Sequence, residues 1–400
     1  MATKLHGVQL RYRDEDEAFR AELLGWLAAN LPTREQMSEP KRSSAHLPDW
    51  ARAWQRCMYD AGWLVPGWPP ELGGRNATPL QQMVYFEELA RQQIPRSSNP
   101  QGISIVTPSI VDHGTAEQKE RFALPTLRAE ITWCLGMSEP GSGSDLASLS
   151  TRAELQGDRF VVNGQKVWTS GAHDSDWCLC FVRTNREVPK HQGISALIID
   201  MKTPGITCRP LPELTGREYA DFNEVFFTDV EVPRENLLGE LNHGWAITQG
   251  SLAHERGMLW IDNAYSVQQA VDALVAMGRD DPALGADARY RDDVARLAID
   301  AQAILLLGYR GFSKFVRGQP SPEHTILKLF SSEVEREAYL TGQEAMGTAS
   351  VLLDVAGPAG WREGAWSQQY LRSFAGTIAG GTSEIQRNII AERVLGLPRR

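Results

Sequence analysis

The spacing of apolar residues changes period twice along this chain, and few folds accommodate that. Over 14–129 apolar positions recur at helical intervals, as in Phe19, Leu23, Leu24 and Leu27 and again in Met83, Val84, Phe86 and Leu89. Between Ile131 and about Val232 the interval falls to two, and 159–162, 177–182, 194–199 and 225–230 read as strands separated by Gly, Pro and Asn/Asp turns. Past Gly244 long helical patterns return over 245–276, 290–315, 322–346 and 382–395. A β region set between helical ones predicts an α+β architecture: an N-terminal helical domain (1–130), a central β domain (131–243) and a C-terminal four-helix-bundle domain (244–400).

Local punctuation supports the division. Pro32, the polar stretch from Pro40 to Pro48 and the turn-rich GWPPELGG of 67–74 break the first region, and Thr115 with Gln118 forms a capping box for a further helix. The Asp-, Gly- and Ala-rich segment from Gly278 to Arg291 is expected to be a mobile loop.

At 400 residues the chain can bury a cofactor in a sizeable interior, and its net charge of -9 without any long Lys/Arg run argues against a nucleic-acid partner. Residues Met1 to Leu10 carry no long apolar core or small-residue cleavage site, and no segment approaches the apolar length of a membrane span, so a cytoplasmic location is expected. Five cysteines without a paired framework suit reduced thiols. Cys178 and Cys180, two apart in a strand, should share one face and pack there rather than hold a metal.

Chemistry concentrates in two places within 137–171. MSEPGSGSD, from Met137 to Asp145, sets bare backbone amides and small hydroxyls where an anionic group such as a phosphate could be cradled. Trp168, Thr169, Ser170 and Gly171 end a run of β-formers, which sets a flat aromatic surface beside hydroxyl donors. Taken alone, either half reads more readily as an ordinary turn or a core tryptophan.

Together, in this order and spacing, the two halves resemble the flavin-binding middle domain of the acyl-CoA dehydrogenase family. The closing GGTSEIQRNIIAERVLG, from Gly380 to Gly396, is similar to that family's C-terminal signature. The resemblance spans essentially the whole chain. It implies FAD extended between the β domain and the C-terminal helices. Ser138 and the backbone of Leu135 and Met137 would meet the flavin's pyrimidine side, Ser144 beside Gly143 the pyrophosphate, and Trp168 and Ser170 the ring near N5. Thr382 and Glu384 would reach the cofactor from the last helix, although Thr382 could equally be an N-cap. Glu344 and Gly347, the latter followed by Thr348 where a second Gly is common, match a further cofactor contact. The family's Arg-x-x-Phe-Gly segment for the adenosine end is replaced here by MGRDDPALGAD, 277–287.

Oxidising an acyl thioester requires a base for the α-proton and donors for the thioester oxygen. In many members the base is a Glu directly before the C-terminal Gly-Thr, where this chain has Gly380 and Gly381. A minority draw it from the first long C-terminal helix beside an Arg, and His254, Glu255 and Arg256 stand at that place. Glu255 is therefore the expected base, with an ordinary helix ion pair as its plainer alternative and no role for His254. The Gly380 N–H would polarise the thioester oxygen, and Ser144, Arg256 and Gly381 would border the substrate.

Glycines at 380 and 381 remove bulk beside the reacting carbons, which suggests a branched, cyclic or otherwise wide acyl group. Met258, Trp260 and Tyr85 read either as pocket lining or as core. The resemblance further implies an acyl-CoA substrate, an electron-transfer flavoprotein as acceptor, and a homodimer, tetramer or α2β2 heteromer. Two other readings use the same scaffold: a structural subunit that completes a heteromer's FAD site, and a flavin oxidase or monooxygenase.

Overall fold

The computed structural model describes residues 12–398 except 40, 216–219, 320 and 352–365, and does not extend to the side chains of 251–259 and 351. The N-terminal region is helical, with α1 (Asp14–Asn30), α2 (Asp49–Asp60), α3 (Pro79–Gln92) and α4 (Thr107–His113) as its main elements. Helix α4 follows a π turn at Gly102–Val106. Phe19, Leu23 and Leu27 lie on one face of α1, as their spacing predicts, and pack with Trp54, Trp63, Val84 and Tyr85 in one core. The Thr115 capping box forms: Thr115 Oγ1 accepts from Gln118 N at 3.2 Å, and Gln118 Oε1 accepts from Thr115 N at 3.2 Å.

The central region folds into an eight-stranded mixed sheet. Its strands are β1 (Trp133–Gly136), β2 (Arg152–Gln156), β3 (Arg159–Lys166), β4 (Trp177–Arg183), β5 (Ile194–Asp200), β6 (Ile206–Pro210), β7 (Asn223–Pro233) and β8 (Leu237–Leu238). They run in the order β6-β7-β3-β2-β4-β5-β8, with β1 parallel to β4. Strand β4 shows why its sequence is apolar almost throughout. Cys178, Cys180 and Val182 enter a core on one face, while Leu179 and Phe181 enter another with Val106, Ile110 and Phe122 of the helical region. That second core also holds Ile247 of the first C-terminal helix, so one face of the sheet binds both helical regions together.

The C-terminal region is built from α5 (Gly244–Asp280), α6 (Ala288–Val316), α7 (Glu323–Ala345), α8 (Trp366–Gly376) and α9 (Ser383–Ile389). Trp260, Ile261, Val267 and Leu274 of α5 meet Leu297, Ile304, Leu327 and Val334 in the bundle core.

One expectation is corrected. Gly278 to Arg291 is helical rather than a loop: α5 runs to Asp280, a short helix covers Pro282–Ala286, and α6 starts at Ala288. The aspartates that read as loop formers are caps. Asp281 accepts from Ala283 N at 2.9 Å, Asp287 accepts from Tyr290 N at 2.7 Å, and Tyr290 OH donates to Leu274 O at 2.6 Å.

Candidate functional site

The strands end where the three regions meet, and a cleft of about 2080 Å³ opens there. Its wall from the β domain includes Leu135 and Met137 of the chain leaving β1, Ser138, Gly143 and Ser144 of the glycine–serine turn, and Trp168 and Ser170 beyond β3. Gly380, Gly381 and Thr382 enter from the C-terminal region, and Trp245, Thr248 and Gln249 from α5. Segments more than 200 residues apart in sequence, Ser170 and Gly380 among them, thus share one cavity.

Trp168 decides between the two readings its sequence left open. Its side chain is 62 % exposed on the cleft wall and meets Phe222 edge-on, with ring centroids 6.0 Å apart. The backbone holds it at φ +60°, a left-handed conformation that costs a bulky residue about 1–3 kcal/mol. Beside it the Thr169 Oγ1 is buried without a hydrogen-bond partner among the described residues. The turn at 139–142 is pinned by reciprocal backbone bonds of 3.0 Å between Glu139 and Ser142, while Gly143 and Ser144 stay exposed at its tip.

What pins this turn to the sheet was not foreseen. Lys166, fully buried at the end of β3, donates from Nζ to Glu139 Oε1 and to Met137 O, each at 2.9 Å. Glu139 also accepts from Ser150 N at 2.6 Å, Ser150 Oγ at 2.8 Å and Thr151 N at 2.9 Å. Burial opposes ionisation of Glu139, but Lys166 and these donors outweigh it and hold the carboxyl at about 2, below its ordinary 4.5. The signal was present: Phe160, Val162 and Lys166 share the inward parity of β3, so the lysine stood at a core position.

A pH dependence follows. A carboxyl depressed in the folded state stabilises the fold above the unfolded value and loses that contribution as pH falls from about 4.5 towards about 2, with about 3 kcal/mol at most at stake. Urea unfolding midpoints measured through this range should fall, and Glu139→Gln should flatten that part of the curve.

At the opposite wall, Gly380 and Gly381 adopt φ +66° and +100°, and a Cβ at Gly380 would meet no atom of the described residues within 4 Å. The corner is held from behind: Lys328 Nζ donates to Gly381 O at 2.6 Å and Gln386 Nε2 to Gly380 O at 3.1 Å. Thr382 is an N-cap, accepting from Ile385 N at 3.2 Å, and it lines the cleft as well.

The fold does not bring every anticipated residue here. Glu344 and Gly347 are exposed at the end of α7 and do not line the cleft, and Glu384 is 79 % exposed beside Arg387. Trp260 and Tyr85 are buried core residues, not lining. Glu255 and Arg256 lie on α5, but their side chains, like those of His254 and Met258, are outside the described residues.

Comparison with known proteins bears on this arrangement directly. The N-terminal, middle and C-terminal domains of acyl-CoA dehydrogenases match residues 13–130, 134–230 and 242–395. Acyl-CoA dehydrogenase IpdE1 of Mycobacterium tuberculosis is 36 % identical over 389 residues, which cover 96 % of this chain and 98 % of that one. The chain belongs to the acyl-CoA dehydrogenase family. Two solved structures share the fold of this acyl-CoA dehydrogenase. The ChsE4-ChsE5 complex from Mycobacterium tuberculosis superposes with a TM-score of 0.82 at 31 % identity, covering 98 % of this chain and 100 % of that chain. The Tcur3481-Tcur3483 steroid ACAD gives 0.83 at 29 %, covering 98 % and 99 %.

Acyl-CoA dehydrogenases are flavin-dependent oxidoreductases, and the cleft fits such a group. It offers an exposed indole face, the Ser170 side of the strand end, and an exposed glycine–serine segment suited to an anionic tail. Arg372 and Arg393 also line it, and neither has an ion-pair partner among the described residues. No described helix is long and apolar enough to cross a membrane.

Proposed function

We propose that this acyl-CoA dehydrogenase binds FAD and introduces an α,β double bond into a branched, cyclic or otherwise bulky acyl-CoA. Bound flavin supplies the acceptor for the β-hydride. Leu135, Met137, Ser138 and Ser170 orient its ring against Trp168, Gly143 and Ser144 meet its pyrophosphate, and Thr382 closes the site from α9. These neutral donors satisfy phosphate oxygens without a full counter-charge.

Glu255 removes the α-proton. The observation that carries this assignment is helical register: Thr248 of α5 lines the cleft, and position 255, seven residues on, falls about 20° short of two full turns from it. The stripe that carries Thr248 therefore passes through position 255. The alternative location for a carboxylate, position 380, is a glycine and has no side chain to take a proton. There the backbone N–H of Gly380 donates to the thioester oxygen as negative charge develops, while Ser144, Arg256 and Gly381 border the substrate.

A side chain is lacking at both 380 and 381, which leaves width beside the reacting carbons, and one structural neighbour is described as a steroid ACAD. A steroid-derived ring system suits both facts. Glu344, Gly347 and Glu384 stand outside the cleft of their own chain, so any contact they make with the cofactor comes in an assembly, either a homo-oligomer or a heteromer of the kind named in the ChsE4-ChsE5 complex. An electron-transfer flavoprotein is the proposed acceptor.

The test is an anaerobic titration of the purified yellow protein with straight, branched and ring-bearing acyl-CoAs. Bleaching should be fastest with the ring-bearing thioesters. Rapid oxygen consumption during turnover would point to an oxidase instead, and a colourless protein that gains flavin only with an unlike partner would point to a subunit without chemistry of its own.

A further inference from the structure

Three buried polar atoms around the cleft have no hydrogen-bond partner among the described residues: Ser44 Oγ, Ser98 Oγ and Gln101 Oε1. All three residues line the cleft. Buried polar groups in folded proteins are satisfied in roughly nine cases of ten, so three orphans along one wall call for a ligand. The wall is not loosely built. Asn99, between two of them, donates from Nδ2 to Ser44 O at 3.1 Å and to Trp133 O at 2.9 Å, and accepts from Trp133 N at 2.9 Å. A Cβ at Gly102 would come within 2.4 Å of Asn99 Oδ1, so the chain after Gln101 can lie this close only as glycine. Neighbouring serines are engaged: Ser43 Oγ donates to Asp174 Oδ2 at 2.9 Å and Ser97 Oγ to Gln55 Oε1 at 2.5 Å. A Cβ at Gly171 would stand 3.1 Å from Ser44 Oγ, which sets this wall beside the Trp168–Gly171 corner.

A hydrocarbon acyl chain would leave these groups desolvated with nothing in return. Two hydroxyls and an amide, carrying no charge, can both donate and accept. We propose that Ser44, Ser98 and Gln101 recognise a neutral oxygen substituent, a hydroxyl or a ketone, on the ring of the acyl group, and so select oxygenated cyclic acyl-CoAs. The proposal rests on the dehydrogenase reading of the cleft. Gln101 and Ser98 act as specificity-determining residues, and the chemistry at the α- and β-carbons is left to the groups already assigned.

The flavin-loaded enzyme is assayed with cyclohexylpropanoyl-CoA and its ring-hydroxyl, ring-ketone and ring-carboxylate derivatives. The hydroxyl or ketone member should exceed the plain one in kcat/KM by about tenfold or more, mainly through KM. Gln101→Leu and Ser98→Ala should each erase most of that ratio while turnover of the plain ring is kept or improved. Because the ratio is taken within one preparation, a loss of folded protein does not mimic the effect. Equal kcat/KM for plain and oxygenated rings, a preference for the carboxylate, or variants that slow all substrates alike would overturn the inference and leave the dehydrogenase reading standing. Bleaching by none of the thioesters would instead remove that reading, and this one with it.

Discussion

Glu255→Gln should retain its flavin absorbance and lose anaerobic bleaching by acyl-CoA, with the reductive half-reaction slowed by about 10³-fold or more. Glutamine keeps the size and hydrogen-bonding shape of the side chain but cannot take the α-proton, and a positioned general base contributes on the order of 10²–10⁴-fold. The measurement is a stopped-flow trace at saturating thioester. Substrate affinity, read from the charge-transfer or spectral perturbation on binding, should change little, because the lost interaction belongs to the transition state. A variant that bleaches at the wild-type rate would move the base elsewhere. A complementary variant, Gly380→Glu in the Glu255→Gln background, tests the opposite wall: a Cβ there meets no atom of the described residues within 4 Å, although φ of +66° adds strain. Partial recovery of bleaching is expected, and none at all would place the reacting carbons out of reach of position 380.

Lys166→Met should cost about 3–5 kcal/mol and weaken flavin retention together. The ammonium is fully buried between Glu139 and the carbonyl of Met137, and removing it leaves a buried carboxylate without its counter-charge. Two cleft residues, Met137 and Ser138, hang on the same short segment, since Val167 N also donates to Ser138 O at 2.9 Å. Thermal unfolding should shift down by several degrees. Lys166→Met combined with Glu139→Gln should recover a large part of the loss, because no charge then remains unpaired, and the recovered share measures the coupling. A single variant with an unchanged midpoint would mean that the pair contributes nothing net.

Much of the site was legible one segment at a time. The Met137–Ser144 turn and the Trp168–Ser170 corner were read from their residues and the Gly380–Thr382 loop from the family resemblance, and each lines the cleft. Glu344, Gly347 and Glu384 were read by the same resemblance and stand outside it, since a motif match carries no information about which chain completes a contact. The Gly278–Arg291 segment was misread because Asp and Gly favour both turns and helix ends, and only the donors at Ala283 and Tyr290 show which.

By itself the sequence determined what depends on neighbours within a few positions. The helical and strand periods, the Thr115 and Thr382 caps and the inward parity of β4 all arise from interactions across three or four residues or from the two-residue pleat. Tertiary structure alone decided that Lys166 meets Glu139, that Trp168 faces open space instead of core, and that Ser44, Ser98 and Gln101 share a wall with groups left unpaired. Those outcomes depend on which distant segments exclude water from one another. Which distant partner a buried group meets, or whether it meets one, is a property of the assembled fold, and no local pattern encodes it.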